Sequence, residues 1–255
     1  MWCMKTLVIV VVCLFGILAG WGVSAQSPSS DIKNDGPKTS SVIASVVQAM
    51  KDSLSKIPPE KALLDVPFFC QAPFMNMDSW NIHRESCEEA AALQVVYYLR
   101  GVKKVDLSAT DKILRDMIDW QMKQFKGHHD IRCDSTKTMI MSFFGYTDDE
   151  VRIIRKATIQ DIKDQILAGN PVIAMANGYV LNNPHYVENL RARGMSGYHM
   201  LTVKGFDSEK IITNDVGTMR GNGYTYTYDI FQKAMDFHGG DIIVILPKDR
   251  TKTGQ

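Results

Sequence analysis

Cysteine is scarce in this sequence. Beyond Cys3 and Cys13 in the apolar N-terminus, only Cys70, Cys87 and Cys133 remain in a chain of 255 residues. Three thiols cannot frame a disulfide scaffold, and an odd number leaves at least one free or bridged to another chain. A Cys70–Cys133 pair would leave Cys87 free. Charge of one sign is lacking too: without Lys5 the 29 basic residues fall to 28, against 28 acidic ones. A chain with no basic excess and no basic run is not built to hold nucleic acid. Also absent are a GxxxxGK[ST] phosphate loop, an internal repeat and a second long apolar segment. P-loop nucleotide hydrolysis and a multi-span membrane role therefore find no support. The stretch "HHDIRC" offers His128, His129, Asp130 and Cys133. Adjacent histidines seldom ligate one ion and no second ligand pair has zinc spacing, so this reads as a substrate-facing or solvated loop. Neither a metal nor a cofactor is expected.

What is present begins with "MWCMKTLVIVVVCLFGILAGWGVSAQS". Lys5 precedes an apolar run from Leu7 to about Trp21, and Val23-Ser24-Ala25 supplies the small residues of a signal-peptidase site. The run is short for a membrane span, so residues 1–25 read as a cleaved secretory signal, with an uncleaved anchor as the alternative. The protein is expected to be secreted or to face the cell envelope. Residues 26–60 form a polar linker followed by an amphipathic helix. Its apolar stripe is Val42, Ile43, Val46, Val47, Met50, Leu54 and Ile57, and Pro58-Pro59 ends it. Docking on the domain is the simpler reading of this helix; a pro-segment over a cleft is the other. Residues 61–250 make one domain, and 251–255 a tail.

Within the domain, helical patterns come first. Residues 108–126 carry a stripe of Ile113, Leu114, Met117, Ile118 and Met122, and Asp134 or Ser135 can cap a helix running to Phe144. "VRIIRK" reads as a strand, and Thr158 with Asp161 caps the helix that stops at Gly169-Asn170-Pro171. From Pro171 the pattern turns to strands: "VIAMA", "HMLTVKGF", "KIITND", "YTYTY" and "DIIVIL", with a short helix capped by Asp229 between the last two. Helices followed by an antiparallel sheet argue for an α+β fold. Tyr224, Tyr226 and Tyr228 alternate and read as one packed face.

The chemistry centres on "SCEEAAALQVVYYLRG", residues 86–101. Ser86 and Glu89 have capping-box spacing, Gly101 suits a C-terminal cap, and the run between is almost wholly apolar. Cys87 thus falls in the first turn of a buried helix, where free N–H groups and the helix dipole favour thiolate. The bland alternative is a small buried hydrophobe. A thiol nucleophile needs a base and a group that orients the base. A turn centred near Ser208 pairs residue 199 with 217 and residue 201 with 215. That sets His199 and Asp215 on one sheet face, one diagonal step apart. Asn214 then points the other way unless the register slips by one. His185, in "LNNPHYV", is the competing base. Gln71, sixteen residues before Cys87, offers an amide to a developing oxyanion. Trp80 and His83 are placed to line a cleft.

This order of Gln, Cys, His and Asp resembles the papain-like cysteine peptidases. More narrowly, "VPFFCQAPF", "SCEEAAALQVVYYLRG", "GYHMLTVKGFD" and "ITNDVGT" resemble the bacteriocin-processing (double-glycine leader) peptidase family and its stand-alone relatives, over roughly residues 65–247. The resemblance implies a papain-like fold with its nucleophile helix packed on a C-terminal antiparallel sheet. It implies Cys87 as nucleophile, His199 as base, Asp215 as orienting residue and Gln71 in the oxyanion hole. Ser86 and Glu88 stand where transporter-linked members usually have Asp and Gly, and Val216 stands where Pro is usual. The expected partner is a peptide or protein substrate cleaved through an acyl-enzyme. Alternatives are a peptidoglycan stem-peptide hydrolase or amidase with the same triad, a transferase using the same thioester, and a non-catalytic binding domain of the same fold.

Overall fold

The computed structural model describes residues 43–49 and 59–248. The signal segment 1–25, the linker 26–39 and the tail 251–255 lie outside the described residues. Of the amphipathic helix expected over 40–57, residues 43–49 are described and helical, with Ile43, Val46 and Val47 exposed. The chain divides into two units, residues 1–57 and 58–255. No helix among the described residues is long and apolar enough to cross a membrane.

The second unit opens with β1 (Ala62–Leu63), α1 (Met77–His83), α2 (Cys87–Leu99), α3 (Leu107–Phe125) and α4 (Cys133–Phe144). There follow β2 (Val151–Ile154), α5 (Ile159–Leu167), β3 (Val172–Asn177), α6 (Gly178–Leu181) and α7 (Val187–Ala192). It closes with β4 (Tyr198–Phe206), β5 (Lys210–Asn214), β6 (Asn222–Thr227), α8 (Tyr228–Asp236) and β7 (Ile242–Ile245). The strands form one antiparallel sheet ordered β2-β7-β3-β4-β5-β6, and β1 pairs with the far end of β4. This is an α+β architecture.

Alternation along the strands builds a core on each sheet face. Ile173, Met175, Met200 and Ile243 pack with Leu93, Val96, Met117 and Ile140 of α2, α3 and α4. Val172, Ala174, Leu201 and Val203 pack instead with Ile162, Ile166, Phe231 and Met235 of α5 and α8. The central strand β3 is therefore buried throughout.

Several boundaries differ from the sequence reading. The strand-like "LLDVPFFCQAPF" forms a ladder only at β1. Beyond it, Asn214 Nδ2 donates to the Val66 and Pro67 carbonyls at 3.2 Å each and holds the segment without a partner strand. Helix α4 starts at Cys133, one residue before the expected cap, after Arg132. Helix α8 is capped at Thr227, so Asp229 sits inside its first turn rather than before it. Thr158 and Asp161 do form the capping box of α5. Cys70, Cys87 and Cys133 are all free; Cys70 Sγ donates to the Val216 carbonyl at 3.1 Å.

Candidate active site

Cys87 is the first residue of α2 and is buried, 4% exposed. The helix lies against β4, where Thr202 Oγ1 donates to the Ala91 carbonyl at 3.2 Å and the Met200 N–H donates to Cys87 Sγ at 3.3 Å. Gln94, the polar exception in this helix, donates to the Phe69 carbonyl at 2.9 Å and ties down the segment carrying Gln71. The capping box read at Ser86 and Glu89 is not formed. Ser86 Oγ instead reaches His83 Nδ1 and His128 Nε2 at 3.4 Å each, while Glu89 accepts from Gln121 of α3. Tertiary partners buried beside the helix start have outcompeted the local cap. His83 Nε2 in turn meets Asp111 Oδ1 at 2.8 Å, so His83 is buried beneath the site and does not line it.

The thiol environment corrects the expectation of a thiolate. Cys87 Sγ donates to Glu88 Oε2 at 3.1 Å. Burial, then the charges of Glu88 and Asp130, push the thiol well above its ordinary value, and the Met200 N–H offsets only part of this. Glu88 is itself fully buried, and its carboxyl is pushed up by burial and by Glu89. Its second oxygen accepts from the Ile131 N–H at 2.6 Å. In this arrangement the Cys87 thiol faces the Glu88 carboxyl.

His199 and Asp215 are brought together. Pairs Thr202–Asn214 and Val203–Thr213 keep the register of a turn centred at Ser208, and a bulge beyond Val203 shifts it by one residue nearer the turn. His199 Nε2 bonds Asp215 Oδ1 at 2.8 Å, which leaves Nδ1 as the ring nitrogen available to a thiol. Asp215 is fully buried and every lobe of its carboxylate is engaged. Oδ1 also accepts from the Gly217 N–H at 3.1 Å, and Oδ2 accepts from Tyr226 Oη at 2.5 Å and Asn183 Nδ2 at 3.0 Å. Burial alone would raise its pKa; the His199 charge and these donors outweigh it and hold the carboxyl below its ordinary value.

Sequence reasoning missed Asn183 and the role of Tyr226. The alternating tyrosines are a signal for more than packing. The Tyr224 and Tyr226 rings do pack together, 5.0 Å apart and tilted, while the Tyr226 hydroxyl continues to Asp215. Tyr228 departs from that face and begins α8.

Gln71 is buried near the helix start, but both hydrogens of its amide are engaged. Nε2 donates to the His83 carbonyl at 2.9 Å and the Arg84 carbonyl at 2.8 Å. It fixes the turn that delivers Cys87, and donation to an oxyanion requires releasing one of these carbonyls. The Cys87 N–H belongs to the first turn of α2, where backbone donors lack helical partners.

Cys87, His199, Gln71 and Trp80 all open onto one cavity of about 460 Å³. His185 lines it as well, its ring edge-on to Tyr224 at 5.9 Å. Of the "HHDIRC" stretch, Asp130 faces this cavity. Among the described residues, no group of three or more His, Cys, Asp and Glu side chains is arranged to hold a metal ion.

Residues 63–238 match the model of the Peptidase C39-like family. Among solved structures, a Bacillus anthracis protein assigned as a C39-like peptidase superposes with a TM-score of 0.52 at 15% identity. The match covers 74% of this chain and 99% of that one, and shows a shared fold. No curated protein matches the chain.

Proposed function

The chain belongs to the Peptidase C39-like family, and on that premise we propose that it is an exported cysteine peptidase working through Cys87, His199 and Asp215. The observation that carries this reading is that His199, bonded to Asp215 at 2.8 Å, lines one cavity together with Cys87. The buried, hydrogen-bonded Asp215 fixes the His199 ring through Nε2. Turnover begins when Cys87 leaves Glu88 and passes its proton to His199 Nδ1. The thiolate attacks the substrate carbonyl, and the oxyanion forms against the Cys87 N–H. Gln71 joins only if it exchanges a carbonyl for the oxyanion. His199 returns the proton to the leaving amine, and water then hydrolyses the thioester. Export rests on residues 1–25.

The test is cleavage of a peptide mixture by wild-type protein, Cys87→Ala and His199→Ala. New peptide termini should appear with wild type and be absent with both variants. Equal cleavage by Cys87→Ala would end the nucleophile assignment, and equal cleavage by His199→Ala would move the base to His185.

A further inference from the structure

We propose that the cavity beside Cys87 and His199 selects peptides carrying a large apolar side chain, of leucine, methionine or phenylalanine size, next to the bond to be cut. This rests on the peptidase reading and names its substrate class. At about 460 Å³ the cavity lies within the range, roughly 300–1,000 Å³, of pockets that enclose small ligands. Most of its accessible lining is apolar. Some of the polar groups around it are already engaged. Gln71 is bound to two carbonyls, and Ser196 Oγ donates to Asp130 at 3.0 Å. Met75, Trp80, Leu190 and Met195 form its apolar wall.

These four side chains come from both sides of the site, and the backbone is constrained at Met75 and Met195. Met75 and Trp80 lie on the segment leading into the nucleophile helix. Met75 has φ +57°, in the left-handed region that is costly for a residue with a Cβ. Of the four non-glycine residues with positive φ among the described residues, it alone lines the cavity. Strain of this kind gathers where a side chain must be presented. Leu190 and Met195 lie on the segment leading to His199. The Met195 N–H donates to the Leu190 carbonyl at 3.1 Å, and Tyr179 Oη donates to the Met195 carbonyl at 2.7 Å. The Tyr179 ring sits where a Cβ on Gly197 would fall, 2.3 Å away, so only glycine lets it lock this wall. A fixed apolar wall gives affinity to an apolar side chain, and a glycine pair would leave it unfilled.

The experiment digests a proteome-derived peptide mixture with the full chain and reads the new termini by mass spectrometry. Leu, Met, Ile or Phe should be enriched, and Gly depleted, at one fixed position within two residues of the cut. Replacing that residue by Gly in a synthetic peptide should lower kcat/KM on the order of tenfold or more. Met195→Glu should shrink this discrimination to below about threefold, and Met195→Leu should retain it. Enrichment of Gly or of charged residues, or an unchanged preference in Met195→Glu, overturns the proposal while the peptidase reading stands. If wild type cuts nothing, the peptidase reading fails. The pocket is then read by binding of the Leu and Gly peptides to Cys87→Ala: tighter binding of the Leu peptide supports it, and equal or absent binding overturns it.

Discussion

At Cys87 the adjacent side chain matters more than the helix that carries it. First-turn N–H groups favour an anion by only about 0.3–1 kcal/mol, whereas the buried Glu88 carboxyl accepts the thiol proton at 3.1 Å. Glu88→Gln replaces an acceptor that disfavours thiolate with an amide that can donate to it. Alkylation of Cys87 by iodoacetamide at neutral pH should then accelerate, by roughly tenfold for each unit the thiol pKa falls. An unchanged or slower rate would mean that burial alone sets the thiol. At Asp215 the hydroxyl of Tyr226 is a donor to a charged acceptor, worth about 1.5–3 kcal/mol in comparable cases. Tyr226→Phe should let the carboxyl protonate at higher pH and move the acid limb of the activity profile upward. A limb that stays in place would reduce the hydroxyl to packing.

Among the elements, the β4–β5 hairpin and the turn after it fix the geometry of the base. Gly221 ends a short 3₁₀ turn (Met219–Gly221), and a Cβ there would fall 1.8 Å from the Asp215 carbonyl oxygen. That contact is backbone, so it cannot be relieved by a side-chain rotation. Gly221→Ala should destabilise the protein by about 1–3 kcal/mol, the usual cost of overpacking, and displace Asp215 from His199. Thermal unfolding and activity read the two effects, and a variant with wild-type values for both would contradict the close approach. The hairpin was legible in the sequence because Asp207-Ser208-Glu209 marks a turn and the flanking strands alternate. The bulge near Lys204 was not, since it depends on how Gly205 packs against the Ala62 carbonyl, only 2.5 Å from where a Cβ would lie. Helices α6 and α7 were missed for a related reason: they span four and six residues, too few for a periodic pattern to emerge.

Across the whole molecule, two buried carboxyls give the stability opposite dependences on pH. Asp215 is held below its ordinary value in the fold. Its contribution is present in full above the unfolded pKa and is lost as the pH falls through the folded one. Glu88 is held above its ordinary value, so folding takes up a proton there and stability falls as the pH rises out of the ordinary carboxylate range. Glu88→Gln should therefore be more stable than wild type at neutral pH, and this advantage should shrink as the solution is acidified. Denaturant unfolding at several pH values checks the sign; an advantage that grows on acidification would contradict it.

Local patterns in the chain suffice for the α+β order, the buried helix beginning at Cys87 and the hairpin that joins His199 to Asp215. Each rests on a local pattern: an apolar run, a turn signal, a strand alternation. Which neighbours the reactive groups acquire depends instead on long-range packing. In the sequence Glu88 is only a departure from a motif, and its burial against Cys87 and the Ile131 N–H depends on residues up to 43 positions away. The Ser86–Glu89 cap had correct spacing, yet Gln121 and His128 hold those side chains from other parts of the chain. Asn183 reaches Asp215 across 32 residues. Polar groups removed from water must find partners wherever packing brings them, and no spacing rule within one segment encodes where that is.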